Sequence, residues 1–347
     1  MANVDPSDRT VQSSSVHVLL DARTSLSDSP DVSAPAVSAT CSGEEMLSLQ
    51  NDDGGWGFRR GQKSAVEPTS WALLALCEFD RYDAPWAQRA TQFLVRTQLC
   101  DGSWPNVVGD KLGGWVTSLA CLALAAANAW ATEAGEGLKW LVSSWPGEGG
   151  IWWRVRHTIF GQPHLVGQDH SLRGWSWTAG TSSWVEPTAC AMLALRRAEG
   201  SAAFLGRVSR RCKLAERMLL DRICPGGGWN SGNPVVYGAA GIPAVGPTCW
   251  ALFALAEFAN HRQTERAIGE SLSWLERVYP QIQGAMSLAI ASVCLRMFGR
   301  HTEEMDRRPN KHYGSDGCLI GVPALAWISF AAGPVPRWLS PSATRND

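Results

Sequence analysis

The sequence predicts an all-α fold, a ring of paired helices with wholly apolar helices inside and mixed helices outside. Three observations predict it. A short phrase ending in threonine opens one apolar run after another: "SAVEPTSWALLAL" at 64–76, "SSWVEPTACAMLAL" at 182–195 and "AVGPTCWALFAL" at 244–255. Between these runs a second phrase carries a helix through Gln and a Gly turn into Trp, as "MLSLQNDDGGWGF" at 46–58 and "FLVRTQLCDGSWPNV" at 93–107. The two phrases keep step, because Trp56 and Trp104 lie 48 residues apart and so do Thr69 and Thr117. A recurrence of this kind outranks other readings of a chain, since each unit can bury its apolar face only against its neighbours.

Taken in order, residues 1–43 are rich in Ser, Asp, Val and Pro and lack the basic start and apolar core of a signal peptide, so a mobile tail is expected there. The ordered domain is expected over 44–335, with 336–347 as a C-terminal tail. Pro68, Pro187 and Pro247 fit the first position of a helix, where a missing N–H costs nothing. "GWVTSLACLALAAANA" at 114–129 is a relative of these helix starts without the proline, with Thr117 in the repeat position. The helix after each Thr is apolar on every side and must be buried, whereas the helix before each Gln mixes apolar and charged residues. The glycines of D-G-G-W and G-G-G-W fit helix C-termini followed by tight turns. Degenerate copies of the Gln-to-Trp turn stand at 140–153 and 218–232. Residues 151–184 interrupt the repeat with three His, three Arg, five Trp and Asp169, and are expected to form a lid-like insertion. "RRCKLAERMLLDR" at 210–222 reads as the solvated face of an outer helix.

Composition narrows the function. With 347 residues, 45% of them apolar, the chain can bury a large core. A net charge of −1 gives no electrostatic ground for nucleic-acid binding. Ten scattered cysteines without a C-x-x-C pair suit a reducing, cytoplasmic compartment. The most apolar stretch, 118–131, is shorter than the roughly 20 residues of a spanning helix, so any membrane association is expected to be peripheral, at the inner face. The departure from ordinary usage is tryptophan, 18 against 4 tyrosines and 9 phenylalanines.

The Gln and Gly-x-Trp spacing resembles the QW repeat of squalene and oxidosqualene cyclases. The alternating helices resemble the α/α toroid that those enzymes share with protein prenyltransferase β subunits, over roughly residues 44–332. The resemblance implies five to six inner and five to six outer helices, and a structural role for Trp56, Trp104, Trp152 and Trp229 with Gln50 and Gln98. It also implies that inner-helix N-termini ring an apolar cavity, which would place Glu67 and Glu186 there. "VEPTA" superimposes on the D-C-T-A and D-x-D-D-T-A helix starts of these cyclases, so Glu186 falls on their general acid and Thr188 and Ala189 match. The pattern departs in carrying Glu for Asp, Trp184 at the first Asp, and no second acid alongside.

Cyclising a polyene begins by protonating an alkene or epoxide, which needs a neutral carboxylic acid in a dry pocket and π faces for the cations that follow. Glu186 and then Glu67 are the candidate acids. Trp71, Trp175, Trp177, Trp184 and Trp250, with Thr188, are the candidate lining for an isoprenoid, and Asp169 with His170 a weaker candidate pair from the insertion. Two other classes compete. Asp316 and Cys318 resemble the D-x-C of a prenyltransferase zinc site, but no histidine follows Cys318 and His301 or His312 would have to substitute from the other side of the motif. A toroid that only holds an isoprenoid, lipid or protein is the third class. The two-domain cyclases are about twice this length, which implies that a single ring acts on a smaller polyprenyl substrate, combines with a second chain, or has lost catalysis. No D-D-x-x-D motif for metal-assisted ionisation occurs.

Overall fold

The computed structural model describes residues 39–78, 84–129, 131–148, 167–302, 305, 308 and 321–339. All belong to one compact unit that begins at Ala36. The expected tail up to residue 38, much of the lid-like insertion, and Trp152, His157, His164, His312, Asp316 and Cys318 lie outside the described residues.

The helices follow in order: α1 Ala39–Ser48, α2 Val66–Cys77, α3 Pro85–Thr97, α4 Val116–Ala126, α5 Ala131–Ser143, α6 Val185–Leu195, α7 Ala202–Asp221, α8 Val245–Leu255, α9 Arg262–Val278, α10 Ala285–Met297 and α11 Val322–Ala331. Helix α1 runs across residue 43, and the described chain continues past 335 to Leu339, with Trp338 and Leu339 buried. Helices α2, α4, α6, α8, α10 and α11 are apolar on nearly every side and almost wholly buried. They pack on one another in that order, and α11 returns to α2. Helices α3, α5, α7 and α9 pack outside the helices they follow, and α1 packs on α11 and α2. The outer helices carry apolar residues on one face only, as α9 does with Ala267, Ile268, Leu272 and Leu275 buried. This is an α/α toroid-like arrangement, and it places the N-termini of the inner helices at one end of the ring.

Helix starts differ slightly from expectation. Pro68, Pro187 and Pro247 are the third residues of α2, α6 and α8, which open at Val66, Val185 and Val245. The physical reason is unchanged, because the first four amides of a helix have no intrahelical partner. The fold also holds a small hairpin, Val235–Val236 paired with Ala239–Ala240, which the all-α reading omits. Its two loop residues, Tyr237 and Gly238, both have positive φ, the conformation a two-residue hairpin loop needs.

At the other end of the ring arginines cap inner-helix C-termini. Arg196, just after α6, donates to the carbonyls of Phe253 and Ala254 on α8, Arg296 of α10 to those of Phe330, Ala331 and Gly333, and Arg337 to that of Cys77 on α2. Each guanidinium meets the negative end of a neighbouring helix. Helix α7 is an outer helix with Arg210, Lys213 and Arg217 exposed, but Arg211 and Glu216 are buried. The Arg211 guanidinium lies between Trp145 and Trp175, 3.9 Å and 4.0 Å from their ring centres, and burial lowers its pKa to about 10.

Candidate active site

One joint, made four times, fixes the inner helix starts. The Trp56 amide donates to Thr69 Oγ1, Trp104 to Thr117, Trp175 to Thr188 and Trp229 to Thr248, each at 2.9 Å. Each threonine hydroxyl turns back to the carbonyl of the same tryptophan. The indole N–H then reaches an outer-helix carbonyl: Trp56 to Met46, Trp104 to Leu94, Trp175 to Leu141 and Trp229 to Leu219. Gln50 and Gln98 close the turns, each donating to a glycine carbonyl and to the start of the next outer helix, at Trp86 and Glu133. Trp175 therefore takes the place in its repeat that the sequence reading gives to Trp152. Its indole is 34 residues from the carbonyl it bonds, where the other three are 10 away. Thr188 is a member of this joint, with its hydroxyl bound to Trp175.

The joints hold a ring of positions two residues before each threonine: Glu67, Trp115, Glu186 and Gly246. Glu67 and Glu186 are half-buried in the first turns of α2 and α6. A helix N-terminus favours a charged carboxylate, yet burial wins at both. Desolvation raises Glu67 to about 7, against a hydrogen bond from the Trp71 side chain one turn later. Desolvation also raises Glu186, opposed by its own amide and by the Ser231 side chain, and its Oε2 is buried without a hydrogen-bond partner. The Val185 amide donates to the Ser231 carbonyl at 3.0 Å, which sets that serine against the helix start. At Gly246 an added Cβ would meet nothing within 4 Å, so space is open at this position of the ring.

One turn further along the inner helices lies an aromatic cluster. Trp71 of α2 packs against Trp250 of α8, Trp327 of α11 and Trp338 at centroid separations of 5.8, 5.5 and 6.0 Å. Phe253 stacks on Trp327, and Phe330 meets both Trp327 and Trp338 edge-on. Trp71 and Trp250 are thus deep, close-packed residues, and Glu67 precedes Trp71 by one turn of α2. Trp177 and Trp184 stand at the acid end, half-buried. Trp177 meets Trp115 edge to face at 5.0 Å, and its carbonyl accepts from Asn106 Nδ2 and the Trp115 amide. Trp184 is the residue before α6, and its amide donates to the Trp175 carbonyl.

Asp169 and His170 sit behind this end, beside the C-terminus of α7. The Asp169 amide donates to Asp221 Oδ2, and its carboxylate accepts from Ser171, which holds its pKa down. His170 Nδ1 is 3.6 Å from Glu148, a buried acid whose Oε1 accepts the Ser183 amide at 2.9 Å. Burial opposes the charge of Glu148, and His170, Ser183 and Arg222 together keep its pKa lowered. Arg222, also buried, donates to the Gly232 carbonyl next to Ser231. The pair is joined through Glu148 and Arg222 to a pedestal for the segment that carries Ser231. Among the described residues no group of three or more His, Cys, Asp or Glu could hold a metal ion, and Asp316 and Cys318 are not among them.

Sequence reasoning missed Trp115 and Gly246, although counting back two residues from each repeat threonine finds them. It missed Trp327 and Trp338 because neither belongs to a repeat phrase. Ser231, Glu148 and Arg222 carry no local signal.

No known protein-family profile matches the chain. A squalene–hopene cyclase from Bradyrhizobium diazoefficiens is 37% identical over 70 residues, covering 17% of this chain and 11% of that enzyme's length. A crystal structure of a protein from Actinoplanes aligns over 85% of this chain and 97% of its own at a TM-score of 0.51 and 14% identity, a likeness of fold. The type II terpene cyclase MstE from Scytonema, in complex with geranylgeranyl dihydroxybenzoate, aligns over 80% of this chain and 77% of its own at a TM-score of 0.49 and 15% identity.

Proposed function

We propose that the chain is a terpene cyclase-like enzyme that starts cyclisation or isomerisation of an isoprenoid by protonating it, with Glu186 as the proton donor. The observation that carries this reading is the Glu186 carboxyl, raised in pKa by burial, with Oε2 unpartnered at the start of an apolar inner helix. A carboxylate in that position would leave a buried charge unsatisfied, whereas the neutral acid holds a proton with no competing acceptor. The segmental likeness to a squalene–hopene cyclase supports the same chemistry.

The proton leaves the Glu186 carboxyl for a terminal alkene carbon, or for an epoxide oxygen as its C–O bond opens; the resulting cation meets indole faces and is discharged by loss of a proton to water. Trp177, Trp184 and Trp115 stand at the acid end, and Trp71 and Trp250 below it. Ser231 then hydrogen-bonds the carboxylate left behind. Glu67 is the second titratable group of this space. In this reading six apolar helices form the inner wall and five or six the outer, and the protein works in the cytoplasm, directly or at the inner face of a membrane. Cys77, Cys100, Cys121, Cys190, Cys212, Cys224, Cys249 and Cys294 are free thiols, which accords with a reducing compartment. A partner chain would extend the cavity for longer substrates.

The test is product analysis by gas chromatography and mass spectrometry after incubating the purified chain with squalene, oxidosqualene and linear polyprenyl diphosphates. A cyclic or isomerised product should form with the wild type and fall by about 10³-fold or more in Glu186→Gln. Equal turnover by the two proteins would remove Glu186 from the role. Recovery of substrate bound and unchanged would favour a carrier.

A further inference from the structure

At the end of the ring away from the acids, a cleft of about 560 Å³ opens between the α4–α5 and α6–α7 pairs. Its cause is local sequence. Helix α4 ends in Leu-Ala-Leu-Ala-Ala, α5 presents Ala131, Ala134 and Gly135, and α6 ends near Ala194, so small side chains face one another where longer ones would meet. The floor is apolar, with Cys121, Leu124 and Leu138, and Phe204 forms one wall. Such a volume and lining are those of a small-molecule pocket, commonly about 300–1,000 Å³.

The rim is charged. Lys139, Arg197 and Arg207 border the cleft, against Glu199, while Lys139 also pairs with Glu136 at 2.7 Å. Arg207 lies over the Phe204 ring at 5.7 Å, so its head is carried at the edge of the apolar wall. Gly200 and Ser201, the residues just before α7, line the same rim. A second cavity of about 220 Å³ adjoins it and shares Ala125 and Arg197, whose Nη2 donates to the Arg337 carbonyl of that cavity at 2.9 Å.

We propose that this cleft binds a single-tailed amphiphilic anion, its hydrocarbon chain along the Ala and Gly faces of α4 and α5 and its anionic head between Arg197 and Arg207. The apolar lining selects the chain, and the excess of cations at the rim selects the sign of the head. The site is separate from Glu186 and independent of the function proposed for it.

Gly135 supplies a clean test, because a Cβ added there meets nothing within 4 Å. Gly135→Leu therefore starts a larger apolar side chain from open space on the cleft lining and replaces a poor helix former with a good one. The probe is dodecyl phosphate below its micelle concentration, titrated calorimetrically into the full chain. Dodecanol and inorganic phosphate are the controls. One saturable site is expected, with dodecanol binding about tenfold or more weakly and phosphate alone not at all. Gly135→Leu should lose about tenfold or more in affinity with a thermal midpoint no lower than the wild type. Arg197→Gln with Arg207→Gln should bring dodecyl phosphate down to the affinity of dodecanol. Non-saturable uptake, equal affinity in Gly135→Leu, or equal binding of the alcohol and the phosphate ester would each overturn the site. Unchanged binding in Glu186→Gln is expected, and its loss there would move the site to the other end of the ring.

Discussion

Glu67 and Glu186 occupy one repeat position, yet their surroundings differ. Glu67 meets the indole of Trp71, while Glu186 meets Ser231 and leaves one oxygen orphaned. Position was legible from the phrase V-E-P-T, but environment was not, since Ser231 and the Glu148–Arg222 pedestal are supplied by distant segments. The raised pKa of Glu67 has a consequence for stability with a definite sign. Between about pH 4.5 and 7 the unfolded chain releases this proton while the folded chain keeps it, so the contribution is full below pH 4.5 and is lost as pH rises through 7. Converted at the usual rate the loss is about 3 kcal/mol. Glu186 contributes in the same direction. Urea unfolding of wild type and Glu67→Gln at pH 5 and pH 8 isolates Glu67, because glutamine still accepts the indole N–H. The variant should lose about 2.5 kcal/mol less stability across that interval, since part of the effect is already spent at pH 5. Parallel pH dependences in the two proteins would show that Glu67 is not desolvated as its place in the ring implies.

At the scale of an element, the repeat is a mechanical joint. None of α2, α6 and α8 has a side-chain N-cap; the chain before each is instead tied down by the threonine at its fourth residue. A threonine hydroxyl can accept the tryptophan amide and donate to its carbonyl at once, which a valine of the same shape cannot do. Thr188→Val should therefore orphan the buried Trp175 amide and cost about 2 kcal/mol, with Thr188→Ser restoring most of it. Chemical denaturation of the three proteins measures this, and a Thr188→Val loss below about 0.5 kcal/mol would mean the joint contributes little. The apolar helices and their joints were legible because both partners recur at fixed spacing. The joint made by Trp175 was not legible, because the insertion separates it from Leu141 and the local spacing that marks Trp56, Trp104 and Trp229 is lost. Helix α11 offered no threonine phrase at all, and its place in the ring is set by packing on α10 and α2.

The closed order of the inner helices distinguishes the whole molecule from an open repeat array. In an open array each unit meets only its neighbours and the ends can fray separately. Here α11 packs on α2, Ser42 and Ser329 share a buried hydrogen bond of 2.7 Å, and Trp338 joins Trp71, Trp250 and Trp327 in one cluster. First and last units are thus held by the same aromatic core, and the ring should unfold as one body. Trp338→Ala tests this where closure is made. Removing an indole that is 4% exposed should cost about 3–5 kcal/mol, the range for a large aromatic deleted from a core. In the wild type, urea transitions followed by far-ultraviolet circular dichroism and by tryptophan fluorescence should coincide. In the variant both should move together to lower urea if closure is cooperative across the ring. If only the fluorescence midpoint moved and the helical signal kept its own, the last helix would be docked on an otherwise self-sufficient array, and the aromatic cluster would be a plug instead of a keystone.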